Sequence, residues 1–340
     1  MIRVGVVGCG AVVRAYHMPA IRSVRALSVA VLCDLKRQNA ERLQKMYRVE
    51  AAVTDRLEDL KGRVDAALVA VNPGHHASVA MQLLDMGIDV FCEKPLASSS
   101  AEGEQMIAAA ARNNSLLAVG QWCRFLPNFP LLRTLVLDGA IGEVQEITSE
   151  FGGPLDWPMD SPAYFSRQST AGGVLFEAGI HMVDAVVWLF GDVSGIQYAD
   201  DSFGGVEANA ELRGTVSLNG RDVPLRCSFS WTDPKRNGIH VRGTTGSAMA
   251  SPAAPETVVL RQTTAAEQLE IHVHRARWHA DYGTRELFRD QMRDFAAAVA
   301  ERREPHVTAT SAIAGLRIVE RAYAVRQQLP QPWLAPSLAK

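Results

Sequence analysis

The chain has 340 residues, a formal net charge of −2, 47% hydrophobic residues and 21% charged residues. A charge this small argues against nucleic acid as the main partner, and no apolar run is long enough to span a membrane. A chain of this length and composition can bury a large core and is typical of a globular protein with two domains.

The chain begins with a Val-rich segment, residues 2–7, that is typical of a buried β-strand. No apolar signal segment stands before it, so we expect a cytoplasmic protein. The five cysteines are odd in number and lack metal-ligand spacing, and most lie in or beside apolar runs. They indicate buried, reduced thiols.

A glycine turn, Gly8-Cys9-Gly10-Ala11-Val12-Val13, follows this strand and precedes a predicted helix. Strand, glycine turn and helix together are the context of a dinucleotide-binding fingerprint. Gly8 permits the tight turn, and Gly10 lets backbone N–H groups approach a pyrophosphate at the helix N-terminus. Val13 replaces the third glycine of the fingerprint, so a tight turn without a ligand stays an alternative.

A second strand, predicted over residues 27–33, ends at Asp34, in the region where dinucleotide-binding folds carry an acidic residue. A carboxylate there accepts hydrogen bonds from the ribose hydroxyls and repels a 2′-phosphate, which favours NAD. Lys36 and Arg37 follow closely and can neutralise such a phosphate, so NADP stays an alternative.

Strands and helices continue to alternate up to residue 92, with further strands predicted over 64–71 and 89–92. The alternation indicates a parallel sheet, and ligands of such sheets bind at the carboxyl ends of the strands. We predict that the cofactor is bound at these turns and strand ends and, further along the chain, at Gln121. The predicted cofactor-binding residues are Gly8, Gly10, Ala11, Val12, Val13, Asp34, Leu35, Lys36, Arg37, Asn72, Pro73, His76, Glu93, Lys94 and Gln121.

Lys94 stands at the end of a predicted strand, between Glu93 and Pro95. A lysine held over the cofactor can position a substrate hydroxyl and move its proton. An exposed Glu–Lys ion pair at a strand end would leave the same dipeptide, so the dipeptide alone does not decide between the two.

A long irregular segment, residues 152–170, follows a strand predicted over 144–151. Such loops are often functional, and its aromatic side chains can line a substrate site or pack into the core. Residues 143–210 also hold eleven acidic residues against one basic residue. This imbalance indicates either solvated surface or an acidic mouth that favours an amine-bearing substrate.

A helix predicted to run to Phe190 follows Gly172-Gly173 and is apolar on nearly every side. Its polar exceptions are Glu177, His181 and Asp184, whose spacings of four and three place them on one face. Ionisable groups on a buried helix are costly unless each has a partner. They indicate a satisfied core network or an active site. We expect Asp184 to brace the helix or the domain interface rather than to contact substrate.

These motifs resemble those of the glucose–fructose oxidoreductase/inositol dehydrogenase (Gfo/Idh/MocA) family. The resemblance implies an N-terminal Rossmann domain with a parallel sheet, predicted over 1–122, and a C-terminal α+β domain with a large, open, mostly antiparallel sheet, over 123–340. It is carried by Gly8-Cys9-Gly10, Glu93-Lys94-Pro95-Leu96, Arg124-Phe125, Gly172-Gly173 and Gly179-Ile180-His181-Met182-Val183-Asp184.

The resemblance also implies a nicotinamide cofactor and hydride transfer at a ring carbon that bears a hydroxyl or keto group. The family's lysine and histidine map to Lys94 and His181, and its aspartate maps to Glu177, a departure that adds one methylene. We therefore predict Lys94, His181 and Glu177 as catalytic. The predicted substrate-binding residues are Lys94, Arg124, Trp157, Tyr164, Arg167, Glu177, His181 and Tyr282.

The remainder of the chain alternates strand-like runs with turns up to residue 274, and a last helix is predicted over 311–327. One sheet face should pack on helices and leave the other free for a second subunit, so we expect a homodimer or homotetramer. His272, His274 and His279 lack a Cys or carboxylate at metal-ligand spacing, and we predict no metal site.

The sequence therefore predicts an oxidoreductase that uses NAD, or alternatively NADP, on a sugar, an amino sugar such as an aminoglycoside, or a cyclitol. Two alternatives stay open. One is a glycosidase or lyase of the same family that oxidises and re-reduces its sugar without net NADH. The other is a non-catalytic dinucleotide-binding sensor, which would not need both Lys94 and His181.

Overall fold

The computed structural model describes residues 1–155, 165–166, 170–263, 268–274 and 282–330. It contains one six-stranded parallel sheet and one nine-stranded mixed sheet. This architecture confirms the predicted fold class. We refer to residues 1–122 as the N-terminal region and to residues 123–340 as the C-terminal region.

The N-terminal region holds the parallel sheet, whose strands are β1 (Ile2–Val7), β2 (Leu27–Cys33), β3 (Ala52–Thr54), β4 (Ala66–Val69), β5 (Asp89–Cys92) and β6 (Leu117–Val119). Its helices are α1 (Met18–Ser23), α2 (Arg37–Tyr47), α3 (His76–Asp85) and α4 (Ser100–Arg112). The strand order is β3-β2-β1-β4-β5-β6. The order reverses between β1 and β4, and ligands of such sheets bind at this switch point.

The C-terminal region holds the nine-stranded sheet, in the order β14-β13-β12-β11-β7-β10-β9-β8-β15. These strands are β7 (Val144–Gly152), β8 (Val193–Asp200), β9 (Asn209–Leu218), β10 (Arg221–Ser230), β11 (Gly238–Gly243), β12 (Gly246–Ala250), β13 (Thr257–Thr263), β14 (Gln268–His274) and β15 (Arg326–Gln328). The helices are α5 (Asn128–Leu137), α6 (Ile180–Phe190), α7 (Thr284–Glu301) and α8 (Ala309–Ala324).

The nine-stranded sheet is buried on one face only. In β10, Leu225 and Phe229 point into the core, whereas Pro224 and Arg226 are exposed, as a period of two requires. Helices α5 and α6 pack on the buried face. The opposite face carries many charged side chains, and its pairing with a second subunit stays a prediction.

Helix α7 belongs to the C-terminal region but packs into the core of the N-terminal region. Phe288 stacks on Tyr16 with ring centroids 4.9 Å apart, and Phe295 meets Phe91 at 5.7 Å. Both phenylalanines of α7 are buried together with residues of β1 and β4. The predicted boundary between residues 122 and 123 stays a prediction about the sequence. In the folded chain, α7 of the C-terminal region contributes side chains to the core of the N-terminal region.

Two elements differ from the sequence-based expectation. The last helix ends at Ala324, and Arg326–Gln328 form β15, which pairs in parallel with β8. In β15 the guanidinium of Arg326 forms an ion pair with the buried Asp200, with Nε and Oδ2 2.7 Å apart. The helix that carries His181 begins with a π-helical turn, Leu175–Gly179, before α6.

The structure confirms that the cysteines are buried, as their apolar neighbours in sequence indicated. All five cysteines are buried free thiols. None of the helices in the described part of the chain combines the length and hydropathy that a membrane crossing requires.

Candidate active site

A cavity of about 460 Å³ opens between the two sheets. The N-terminal region contributes residues that follow β1, β4 and β5, and the C-terminal region contributes the helix of His181 and the ends of β7 and β10. The polar groups in its wall include Glu93, Lys94, Glu177 and His181. The cavity lies at the switch point of the parallel sheet, where the fold favours ligand binding.

The glycine turn after β1 has the shape that a dinucleotide needs. Gly8 has φ +89°, and a Cβ there would lie 2.4 Å from the backbone oxygen of Ala70, so the turn requires glycine. A Cβ on Gly10 would meet nothing within 4 Å, which leaves the backbone open to a pyrophosphate. Val13 is fully buried and packs into the core, which explains why a third glycine is dispensable.

Asp34 anchors this turn. Its carboxylate accepts hydrogen bonds from the backbone N–H of Cys9 at 2.8 Å, from that of Lys36 at 2.8 Å and from the Asn39 side chain at 3.2 Å. Sequence reasoning missed Asn39, which lies on the helix after the strand. Beside this carboxylate, Leu35, Lys36 and Arg37 are exposed. The residues present therefore fit the adenosine half of NAD.

The segment after β4 joins the cofactor turn to the Lys94 turn. Asn72 accepts a hydrogen bond from the backbone N–H of Gly74 at 3.1 Å. His76 is buried, with Nδ1 2.7 Å from the oxygen of Pro95 and Nε2 3.2 Å from that of Val71. Burial lowers the pKa of His76, so the neutral ring donates to one of these carbonyls. Pro73 and His76 both line the cavity.

Lys94 reaches across the cavity to the helix of His181. Its Nζ donates a hydrogen bond to the backbone oxygen of Glu177 at 2.5 Å and lies 3.4 Å from the Glu177 carboxylate. Burial raises the pKa of Glu177, and the positive charge of Lys94 opposes that shift. The structure therefore brings together two of the predicted catalytic residues from different regions of the chain.

Glu93 is held by a buried histidine that sequence reasoning missed. His17 Nε2 lies 2.5 Å from the Glu93 carboxylate, and both residues are buried. Burial alone would raise the pKa of Glu93, but the hydrogen bond to His17 and the charge of Lys94 together bring it below its usual value. The carboxylate also accepts a hydrogen bond from the Lys94 backbone N–H at 3.0 Å, so it orients the Lys94 turn.

His181 has partners on both ring nitrogens. The Trp122 indole N–H donates to Nε2 at 3.0 Å, and Nδ1 lies 3.0 Å from the side-chain oxygen of Gln121. An indole nitrogen can only donate, so Nε2 accepts and the proton is on Nδ1, where it is donated to Gln121. Burial, with the nearby charge of Lys94, holds the pKa of His181 well below 6.5. His181 is therefore neutral at pH 7.

Asp184 and Arg124 form a buried ion pair beneath the cavity. The guanidinium donates to both carboxylate oxygens at 2.7 Å and to the hydroxyl of Ser311 at 2.8 Å. Burial raises the pKa of Asp184, and the hydrogen bonds from Arg124 oppose that shift. Asp184 braces its helix as expected. Arg124 lies in the core, so the structure does not support its predicted contact with substrate.

The other predicted substrate contacts are only partly described. Tyr282 donates a hydrogen bond to Asp290 at 2.6 Å and stands outside the cavity wall, so we do not assign it to the substrate. Trp157, Tyr164, Arg167 and His279 lie outside the described residues. On the substrate side, the described wall includes aromatic residues that the sequence did not single out, namely Trp122, Phe151 and Trp231.

The acidic residues of 143–210 that the structure describes are spread over several places in the molecule. Among those that the structure describes, Glu177 lines it, and Glu146 lies on the exposed face of the nine-stranded sheet beside Arg226. Asp200 and Glu207 are buried beside Arg326. The expected acidic mouth is therefore reduced, in the described wall, to Glu93 and Glu177, which both contact Lys94.

Glu207 fixes the start of the helix that carries Glu177 and His181. Its carboxylate accepts hydrogen bonds from the backbone N–H groups of Gly173 and Leu175, at 2.9 and 3.1 Å. A Cβ on Gly173 would lie 2.1 Å from the Glu207 backbone oxygen, which explains this glycine. Nothing in the local sequence marks Glu207, since it lies beyond the helix and one strand away.

Two family models match most of the chain. Residues 2–121 match the GFO/IDH/MocA oxidoreductase family with an NAD-binding Rossmann fold, and residues 129–249 match the GFO/IDH/MocA C-terminal domain. The first match contains the glycine turn and Lys94, and the second contains Glu177 and His181.

Two relatives and one solved structure illustrate the similarity. The trans-1,2-dihydrobenzene-1,2-diol dehydrogenase of Xenopus laevis is 36% identical over 39% of this chain and 40% of its own length. The dTDP-3,4-didehydro-2,6-dideoxy-alpha-D-glucose 3-reductase of Saccharopolyspora spinosa is 27% identical over 64% of both. The chain thus spans less than two thirds of either relative.

The solved structure is KijD10, a 3-ketoreductase from Actinomadura kijaniata in complex with NADP and TDP-benzene. It is 20% identical, with a TM-score of 0.80 over 96% of this chain and 98% of its own. At this identity the comparison shows a shared fold.

We expect Arg124→Met to destabilise the fold by about 3–5 kcal/mol, because it leaves the Asp184 carboxylate buried without its partner. Urea unfolding followed by circular dichroism measures this loss. The double variant Arg124→Met/Asp184→Leu removes both charges and should recover most of the stability. If Arg124→Met instead keeps its stability and weakens substrate binding, Arg124 belongs to the substrate site.

Proposed function

Because the chain belongs to the Gfo/Idh/MocA oxidoreductase family, we propose that it transfers a hydride between NAD and a ring carbon that bears a hydroxyl or keto group of a sugar, amino sugar or cyclitol. The observation that carries the proposal is the placement of Lys94 and His181 in the wall of one cavity. Lys94 follows β5 of the N-terminal region, and His181 lies on α6 of the C-terminal region.

His181 is the proposed base. Its Nε2 lone pair accepts the proton of the substrate hydroxyl during oxidation, while the hydride leaves the carbon for the cofactor. The Nδ1–H, held by Gln121 at 3.0 Å, keeps the ring in the tautomer that leaves Nε2 able to accept. When bound, the nicotinamide supplies the hydride chemistry. In the opposite direction His181 returns the proton to the oxygen.

Lys94 is the proposed donor that holds the reacting oxygen. Its ammonium already donates to an oxygen of Glu177 and has further donor capacity, since an ammonium carries three N–H groups. A positive charge at this place stabilises the negative charge that grows on the substrate oxygen as its proton leaves. Glu177 is a positioning residue that keeps Lys94 directed across the cavity.

Asp34 supports NAD as the cofactor. Its carboxylate stands at the end of β2 and is held by backbone and amide donors. A 2′-phosphate placed beside it would meet a negative charge. Of the two nearby cations that could offset this repulsion, Lys36 and Arg37, the second lies 3.0 Å from Glu41.

The described cavity wall supports a cyclic substrate with one apolar face. Trp122, Phe151 and Trp231 line its substrate side, and aromatic rings of this kind pack against the C–H face of a saturated ring. The named relatives act on a cyclic diol and on a keto sugar. A cytoplasmic location is part of the proposal, and the five free thiols fit it.

The test is to incubate the purified protein with NAD⁺ or NADP⁺ and a panel of sugars, amino sugars and cyclitols, and to follow nicotinamide absorbance. Turnover with an absorbance change supports the proposal. Product formed without a net change would indicate the glycosidase or lyase alternative. Tight dinucleotide binding without any product would indicate a sensor.

Replacement of either proposed catalytic residue should reduce turnover. We expect Lys94→Ala and His181→Ala each to lower kcat by about 10²–10⁴-fold, because each removes an acid–base or charge-stabilising group. Cofactor affinity, measured by fluorescence titration with NADH, should change little. Full activity in both variants would contradict the assignment.

The rate of oxidation should depend on the protonation of His181. Because its pKa lies well below 6.5, kcat/KM for oxidation should stay level down to that pH and fall only as a lower pH protonates the base. His181→Gln removes this titration, so its residual rate should lack the acidic limb. Initial rates across a pH series measure both profiles, and an acidic limb centred above 6.5 would argue against His181 as the base.

Asp34→Asn tests the cofactor preference. The amide keeps an oxygen that can accept the Cys9 N–H hydrogen bond but loses the negative charge. We expect the ratio of kcat/KM with NADP to that with NAD to rise about fivefold or more, because the repulsion of the 2′-phosphate is removed. An unchanged ratio would mean that Asp34 shapes the turn without selecting the cofactor.

A further inference from the structure

Trp122 is a cavity residue that the roles of Lys94 and His181 leave unexplained. Its indole N–H donates to His181 Nε2 at 3.0 Å, and the two ring centroids lie 5.1 Å apart. We propose that Trp122 is a specificity-determining residue that occupies, on His181, the position of the reacting hydroxyl, so that substrate must displace the indole. The inference rests on the proposed function, in which Nε2 accepts the hydroxyl proton.

The competition follows from the chemistry of a neutral imidazole. Nε2 has a single lone pair in the plane of the ring, and Nδ1 carries the proton that is donated to Gln121. The indole N–H and a substrate O–H are both donors, so each needs that same lone pair. His181 cannot accept the hydroxyl proton while the indole holds Nε2.

The backbone at Trp122 is held by hydrogen bonds that do not involve the indole. The Trp122 N–H donates to the Gly120 oxygen at 3.1 Å, and the Arg124 N–H donates to the Gln121 oxygen at 3.1 Å. Gln121 is buried, whereas Trp122 is half-buried and faces the cavity. Rotation of the indole therefore frees Nε2 and leaves the Gln121 contact with Nδ1 intact.

The hydrogen bond between Trp122 and His181 favours ligands that carry a hydrogen-bond donor of their own. A ring with a hydroxyl near His181 replaces the indole hydrogen bond with its own, whereas a ring without one leaves Nε2 unpaired when the indole moves. Unpaired buried acceptors are costly. Trp122 therefore favours ligands that carry a donor at the reacting carbon, beyond the shape selection of the aromatic wall.

The kinetic test compares Trp122→Phe with wild type on the substrate that the panel identifies. Substrate must displace the indole before the bound state forms, and the transition state is reached from that bound state. Removing the indole N–H should therefore change KM and leave kcat unchanged. One neutral hydrogen bond corresponds to a KM that is roughly two- to tenfold lower in the variant. Phenylalanine keeps the aromatic packing, and the thermal unfolding midpoint confirms that the variant is folded.

Trp188→Phe is the matched control. Trp188 lies on the same helix as His181 but stacks beside Arg124, with the guanidinium 5.9 Å from its ring, and does not line the cavity. Its KM should equal that of wild type. A higher KM in Trp122→Phe would mean that the indole N–H binds substrate instead of competing with it, a lower kcat would give the indole a role in the transition state, and unchanged constants would mean no competition. Each of these results overturns the inference.

A second measurement follows the contact directly. In protein labelled with ¹⁵N in histidine and tryptophan, His181 should show the neutral tautomer protonated on Nδ1, and the Trp122 indole N–H should show a hydrogen-bonded shift. Adding NADH and the same substrate forms a dead-end complex in which that shift should disappear. A shift that persists, or a tautomer protonated on Nε2, contradicts the inference. Failure of the proposed function is distinct, since wild type and both variants would then all lack turnover.

Discussion

The contact between Lys94 and Glu177 is the interaction on which the arrangement of the cavity depends. It joins the end of β5 to the first turn of the helix that carries His181, across the gap between the two sheets. Further hydrogen bonds hold the backbone on both sides of this contact. Glu93 and His17 orient the Lys94 turn, and Glu207 fixes the backbone at Gly173 and Leu175. The reacting groups are thus supported by buried charged residues rather than by exposed loops, which is how a site keeps its geometry.

The stripe of polar residues on the buried helix is a satisfied network and a candidate active site at once. Glu177 faces Lys94, His181 lies between Trp122 and Gln121, and Asp184 is paired with Arg124. Each group therefore has the partner that burial demands. The Arg124–Asp184 pair is buried away from the cavity, whereas Glu177 and His181 line the cavity wall. Structural support and chemistry thus occupy successive turns of a single helix.

The sequence predicted what local patterns and motifs encode. Alternating strands and helices indicated the parallel sheet, strand ends located Gly8, Asp34 and Lys94, and helical spacing placed Glu177 with His181. Contacts between segments that are distant in the sequence could not be predicted from local patterns. Trp122 and His181 are 59 positions apart, and Arg124 carries no local sign that it turns inward. The described acids of residues 143–210 lie in different places, since Glu146 is on the exposed face of the nine-stranded sheet and Asp200 is buried beside Arg326, so their closeness in composition did not predict a shared site.

The packing of α7 has a consequence for how the chain is made. Phe288 and Phe295 cover Tyr16 and Phe91, yet they belong to the last quarter of the sequence. During synthesis the whole parallel sheet emerges from the ribosome long before α7 is translated. One apolar face of that sheet therefore stays exposed while the nine-stranded sheet is translated. Completion of the first core therefore depends on the synthesis of α7, and a nascent chain halted before α7 would present that face to chaperones.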